Sequence, residues 1–341
     1  MVWFDESRLD DEAALGTADL RLRTLAESGS RVRREVGDCG AAIAEAVSRS
    51  IESRPRAVIA AGPDSRLLRA VLEPFCPVPF VAWPSPALPG WAGSLDLVVV
   101  LAPGGADPGT ALAVAEASRR GCQLVVAAPP GSVVAEHATG RWTTLLPTGT
   151  GDQLATAVAM LFFLDQVHLG PTTEPEAVAE ALDAVAIACS PHRDISINPA
   201  KMLAISLADA APLVWGGSVL AARAARRIAE SIRRTSGRTA LAGDAEHLLP
   251  VVEAARPRNV FADPVADGTG DRRPVLVMLD DGVDDPVVRD QRQRLEDAAR
   301  SHDVRIEHVS SEATGEVGRY ASLLLRGTYA AEYLRLGLVE D

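Results

Sequence analysis

The residues of this chain best suited to chemistry lie in one glycine turn, APGGADPGT at 102–110. The turn follows an almost purely apolar run, 95–101, and leads into the helix-forming segment 109–120. A strand, a glycine turn and a helix start together let backbone N–H groups and the helix dipole hold an anion. Gly104, Gly105 and Thr110 are the candidate ligand-binding residues of this turn. Asp107 opposes that use, because a carboxylate ~4 Å from a phosphate costs ~1–4 kcal/mol at effective dielectrics of about 80 to 20. The same Asp at a helix start is favourable to the dipole. The turn therefore keeps the shape of an anion cradle but is expected to hold a phosphate poorly.

Other reactive groups are scattered. Glu246 and His247, in AGDAEHLLP, are the best acid/base couple by type. Adjacent helix residues point roughly 100° apart, so the two do not form a dyad. Asp263, in NVFADP, follows a predicted strand, where strand ends face a crevice; an Asp-Pro turn is the competing reading. His192 lies in the loop before a helix that Asn198 and Pro199 begin, and either enters a cleft or faces solvent. Gly62 with Ser65, and Gly216-Gly217-Ser218, are two further candidate ligand-binding turns. The helix after Ser218 carries Arg223, Arg226, Arg227, Arg233 and Arg234, with 223, 226 and 227 on one face and 230 and 234 continuing it. With Glu230 this reads most simply as a salt-bridged solvent face, and otherwise as a partner surface or a substitute anion site. Lys201, in NPAKMLA, reads as exposed in the first turns of its helix.

Cys39, Cys76, Cys122 and Cys189 stand singly, the six histidines form no HxxxH or HExxH, and the acidic GVDD stretch lacks EF-hand spacing. No metal and no cofactor is expected. The net charge of −12 opposes nucleic acid and anionic membrane as partners. The apolar runs fall short of a membrane span, and the acidic N-terminus lacks signal or transit features, so a cytoplasmic protein is expected.

Positioning such residues requires alternating strands and helices. The 341 residues, 47% hydrophobic, suffice for two domains with their own cores. Strands are predicted at 57–61, 77–82, 95–101, 123–127 and 142–146, with helices at 37–54, 65–72, 109–120 and 149–168. The pattern restarts with strands at 212–215, 238–242, 258–261, 274–279 and 303–308, and helices at 174–189, from 199, after 218, at 245–255, at 285–301 and at the C-terminus. The fold class is α/β, two tandem domains each with a parallel sheet flanked by helices, in a flavodoxin-like three-layer arrangement. The expected division is a helical arm at 1–36, a first domain at 37–168 and a second at 169–341.

Over nearly its whole length the chain resembles the sugar isomerase (SIS) superfamily. Within it the match is to the bacterial bifunctional phosphoglucose/phosphomannose isomerases, and to the TobH-like proteins of that group. The turn 102–110, NPAKMLA with PLVWGG, and the closing RYASLLLRGTYAAEYLRLG carry the resemblance. It implies two SIS domains, a homodimer, and metal-free aldose–ketose isomerisation of sugar 6-phosphates. Such chemistry needs a carboxylate to move a proton, a histidine to help open the ring, phosphate donors and a cation. Against the family's SYSGNTEET, the chain keeps Gly105 and Thr110, but has Ala102 and Gly104 for the serines and Asp107 for the phosphate-facing threonine. The family's Pro-Arg pair falls on Asp152-Gln153. Its catalytic base falls on Arg234, which cannot take a proton. Its PEL-histidine motif falls on Pro250-Val251-Val252 followed by Glu253, and its C-terminal lysine has no counterpart up to Asp341. The expected function is a catalytically degenerate SIS protein that binds a sugar phosphate or acts as a partner protein in sugar metabolism. The alternative is an active phosphoglucose/phosphomannose isomerase with relocated catalytic residues.

Overall fold

A computed structural model of the chain describes residues 2–50, 54–255 and 272–340. In order, the elements of the first half are β1 (Val2–Phe4), α1 (Glu12–Ala26), α2 (Ser28–Ser50), β2 (Val58–Ala61), α3 (Ser65–Phe75), β3 (Phe80–Trp83), β4 (Leu97–Leu101), α4 (Pro108–Arg119), β5 (Gln123–Ala128), α5 (Val133–His137), β6 (Thr143–Pro147) and α6 (Gln153–Gln166). There follow α7 (Pro175–Ala188), α8 (Pro199–Leu207), β7 (Ala211–Gly216), α9 (Val219–Ser236), β8 (Leu241–Ala242), α10 (Ala245–Glu253), β9 (Pro274–Asp280), α11 (Pro286–Ser301), β10 (Arg305–Ser310), α12 (Glu316–Gly337) and β11 (Leu338–Glu340). The chain divides into a first unit, Glu27–Ala181 with Thr314–Gly318, and a second, Met1–Ala26, Leu182–Ala313 and Arg319–Asp341.

The first unit holds a five-stranded parallel sheet in the order β3-β2-β4-β5-β6. β2 and β4 are buried at every position, which is why they read as unbroken apolar runs rather than alternating ones. Ile59, Val98, Val100 and Val126 form one core with Ala113, Val114 and Ala117 of α4. α2 begins well before the predicted residue 37 and runs through Gly37 and Gly40. Both glycines lie on its exposed side, and Val32, Glu35, Cys39, Ile43 and Ala46 line its buried one. Glu35 is the exception in that stripe. Its carboxylate accepts from the Gly149 and Thr150 N–H groups at 3.0 and 3.3 Å, and from the Thr150 and Thr156 hydroxyls at 3.0 and 3.2 Å. The expected helix from 149 accordingly starts only at Gln153, where Asp152 caps it and pairs with Arg31 at 3.0 Å.

The second unit has a four-stranded parallel sheet, β10-β9-β7-β8, and a two-stranded antiparallel sheet of β1 with β11. β1 lies in the stretch expected to be purely helical, and the predicted strand 238–242 is reduced to two residues. The predicted strand 258–261 lies outside the described residues. Trp215, Leu248, Leu276, Met278 and Leu295 form this unit's core. Lys201 is not exposed but fully buried. Its ammonium reaches Asp10 Oδ1 at 2.6 Å and the carbonyls of Pro191 and Arg193 at 2.8 Å, with the Tyr333 ring 5.6 Å away. A buried ammonium tolerates that site only because three acceptors surround it. At the end of β9, burial pushes the Asp280 carboxyl up, but the Gly282 N–H and the Arg292 guanidinium outweigh this and hold it below the usual aspartate range.

Two outcomes follow from these charged groups. Asp10→Ala leaves the Lys201 ammonium without its counter-charge and is expected to lower stability by about 3 kcal/mol in denaturant unfolding. For Asp280, a depressed folded value means that the ion pair stabilises above the ordinary aspartate range and is lost as pH falls through the folded value. The melting-temperature deficit of Arg292→Gln should therefore be present at neutral pH and close below the ordinary aspartate range; an equal deficit at all pH values contradicts the assignment.

Candidate functional site

In an open parallel sheet, ligands gather beyond the strand C-termini where the strand order reverses. In the first unit that point lies between β2 and β4, and it brings together the turns holding Gly62 and Thr110. Gly62 has φ +89°, and a Cβ there would lie 2.9 Å from Thr110 Oγ1. The Thr110 hydroxyl is buried and already donates to Asp107 Oδ2 at 2.6 Å, beside a bond from its own N–H at 2.7 Å. Asp107 is thus the N-cap of α4, followed by Pro108 at the first helical position. Gly105, at φ +65°, is required for another reason: a Cβ would fall 2.3 Å from Ser132 Cβ, so the next turn fills the space beside it. Gly104 has open space around it.

Ser65 is different. It opens α3 three residues after Gly62, is 1% exposed, and its hydroxyl has no hydrogen-bond partner among the described residues. Asp64 beside it accepts from Gln153 Nε2 at 2.8 Å, the position where the resemblance places the family's arginine. Its buried hydroxyl thus lies at a helix N-terminus, three residues after a glycine with positive φ, with its hydrogen-bonding capacity unused among the described residues.

The second unit repeats the geometry. Its reversal lies between β7 and β9, with Gly216-Gly217-Ser218 after the first and Asp280–Gly282 after the second. Ser218 caps α9, accepting from the Ala221 N–H at 2.9 Å, and its hydroxyl makes a short bond to the buried carboxylate of Asp281. Cβ atoms at Gly216 and Gly217 would both fall 2.3 Å from neighbouring atoms, of Ala221 and Val288 respectively. The turn expected to be the remaining anion holder is packed with the chain's own groups. Asp285-Pro286 begins α11 as Asp107-Pro108 begins α4.

The remaining candidates lie elsewhere. Glu246 and His247 are exposed on the first turn of α10, with His247 Nδ1 3.8 Å from Asp244. Arg234, at the expected base position, is exposed and pairs with Glu230 at 3.4 Å. His192 borders a recess of about 760 Å³ with Asp10, Glu12, Asp19 and Asp194. Asp263 lies outside the described residues. Among the described residues no group of three or more His, Cys, Asp or Glu is placed to hold a metal, and no helix is long and apolar enough to cross a membrane. Sequence reasoning missed Asp281 and Glu35 as partners of the hydroxyls at strand ends. Glu35 carried a usable signal, a lone acid in an apolar helical stripe, and Asp281 carried none.

Residues 196–337 match the family model described as the bacterial phospho-glucose isomerase C-terminal SIS domain. Among solved structures, the tagatose-6-phosphate ketose/aldose isomerase from Escherichia coli is similar, with TM-score 0.66 and 12% identity over 91% of this chain and 92% of that one. The C-terminal domain of glucosamine-fructose-6-phosphate aminotransferase from Francisella tularensis gives 0.56 and 9%, over 91% and 97%. A glucose-6-phosphate isomerase like protein from Thermus thermophilus gives 0.50 and 19%, over 84% and 82%. Among curated proteins none matches. The chain thus shares the fold of these structures over most of its length, and its residues 196–337 are similar to the bacterial phospho-glucose isomerase C-terminal SIS domain.

Proposed function

We propose that the chain binds a sugar phosphate or related carbohydrate derivative without isomerising it. One observation carries this reading: at both strand-order reversals the hydroxyl that a phosphate would take is already bonded to an aspartate of the chain, Thr110 to Asp107 and Ser218 to Asp281. Isomerisation also needs a base and an acid at the sugar carbons, and the acid/base candidates among the described residues are exposed on helix α10 or border the recess of His192. The neighbours named for tagatose 6-phosphate and fructose 6-phosphate chemistry support a sugar phosphate as the ligand class. Ser65, with Gly62 and the start of α3, is the residue set assigned to the ligand. Asp107 weakens contact with a dianion there and suits a sugar hydroxyl as donor. The protein acts as a cytoplasmic homodimer, of about twice 35.9 kDa.

Two measurements test this. Fructose 6-phosphate and mannose 6-phosphate should raise the melting temperature while turnover stays below roughly 1 s⁻¹, the low end of ordinary enzymes. Faster turnover would establish an active isomerase with relocated residues instead. Asp107→Ser keeps a good helix cap and removes the charge, so it should tighten fructose 6-phosphate binding by about tenfold, or ~1.4 kcal/mol. Unchanged affinity would remove the turn from the binding site.

A further inference from the structure

In the first unit, the turn between β6 and α6 closes around a carboxylate that another helix supplies. Glu35 of α2 is fully buried and makes no ion pair among the described residues. Neutral donors hold it instead. Its Oε2 accepts from the Gly149 and Thr150 N–H groups at 3.0 and 3.3 Å, and its Oε1 from the Thr150 and Thr156 hydroxyls at 3.0 and 3.2 Å. An ionised carboxylate has about four lone-pair positions, two on each oxygen, and all of them are taken here. Burying a carboxylate without a cation is costly, and only donors converging this closely offset it. Arg31, one turn earlier on α2, grips the same loop through Asp152 at 3.0 Å. Thr148, the residue before Gly149, is 2% exposed, and its hydroxyl has no partner among the described residues. The loop therefore carries more hydrogen-bonding capacity than α2 uses.

We propose that the turn after β6 is a binding site for a small carboxylate, and that Glu35 is its built-in occupant. Two donors to each of two oxygens suit a planar carboxylate better than a tetrahedral phosphate. While Glu35 is in place the site is closed. Another carboxylate enters only where the Glu35 side chain is shortened or is withdrawn together with α2. The site does not involve Ser65 and does not depend on the sugar ligand proposed there.

The test is thermal melting of the full chain. Glu35→Ala removes Cγ and the carboxyl group, which leaves room for acetate and keeps the donors. In chloride this variant should melt roughly 5 °C or more below the wild type, because four buried donors lose their acceptor. Acetate in place of chloride, at equal ionic strength, should raise its melting temperature by roughly 2–4 °C more than that of the wild type. That is the shift for a free ligand at about tenfold its Kd. Trimethylacetate, with the same charge and more bulk, should give no such excess, and neither should inorganic phosphate. Glu35→Gln fills the space and should show no acetate excess either. If Glu35→Ala does not fold in chloride, the readout becomes recovery of a cooperative melt in acetate, and failure to recover overturns the site. A Glu35→Ala variant that melts with the wild type also overturns it. So does an acetate excess that is absent, that trimethylacetate or phosphate reproduces, or that Glu35→Gln shares.

Discussion

Each helix that follows a parallel strand starts with N–H groups that have no partner inside the helix, and these must be satisfied by something. A ligand phosphate is one solution. This chain uses another, placing its own carboxylates at those positions: Asp107 at α4, Asp285 at α11, and Glu35 across the loop that leads to α6. Asp281 does the same for the hydroxyl of Ser218. With these donors occupied from within, two of the turn glycines sit against the chain's own side chains. Gly105 makes room for Ser132 and Gly217 for Val288.

Ser65 breaks the pattern. It is the first residue of α3, after the cap position Asp64, whereas Ser218 is itself the cap of α9. Ser218 has a carboxylate partner and Ser65 has none among the described residues. An orphan buried hydroxyl is costly, while a satisfied one is close to neutral.

Much of the framework was legible in the residues. Unbroken apolar runs located β2, β4, β5 and β9 to within a few residues, because strands buried on both faces cannot hide their composition. Asn198 with Pro199 located the start of α8, and Asp107 was legible as a residue of the α4 start. The two-residue β8, the pairing of β1 with β11 and the early start of α2 were not legible. The first two depend on partners distant in sequence, and the third on glycines that sit harmlessly on an exposed face. At the turns, Asp107 could be read as a cap from its position alone. The partnership of Ser218 with Asp281, 63 residues apart, could not.

Lys201 has one more consequence. Of 34 basic residues it is the sole lysine, and it is fully buried. The surface cations are all arginines, which stay charged at any pH the protein would meet and hold carboxylates through a planar fork. No side-chain amine is available on the folded protein to acylating reagents or to lysine-modifying enzymes. Lys201 becomes reactive only when the second unit opens around it, so amine labelling of this one residue follows unfolding of that unit without any engineered probe.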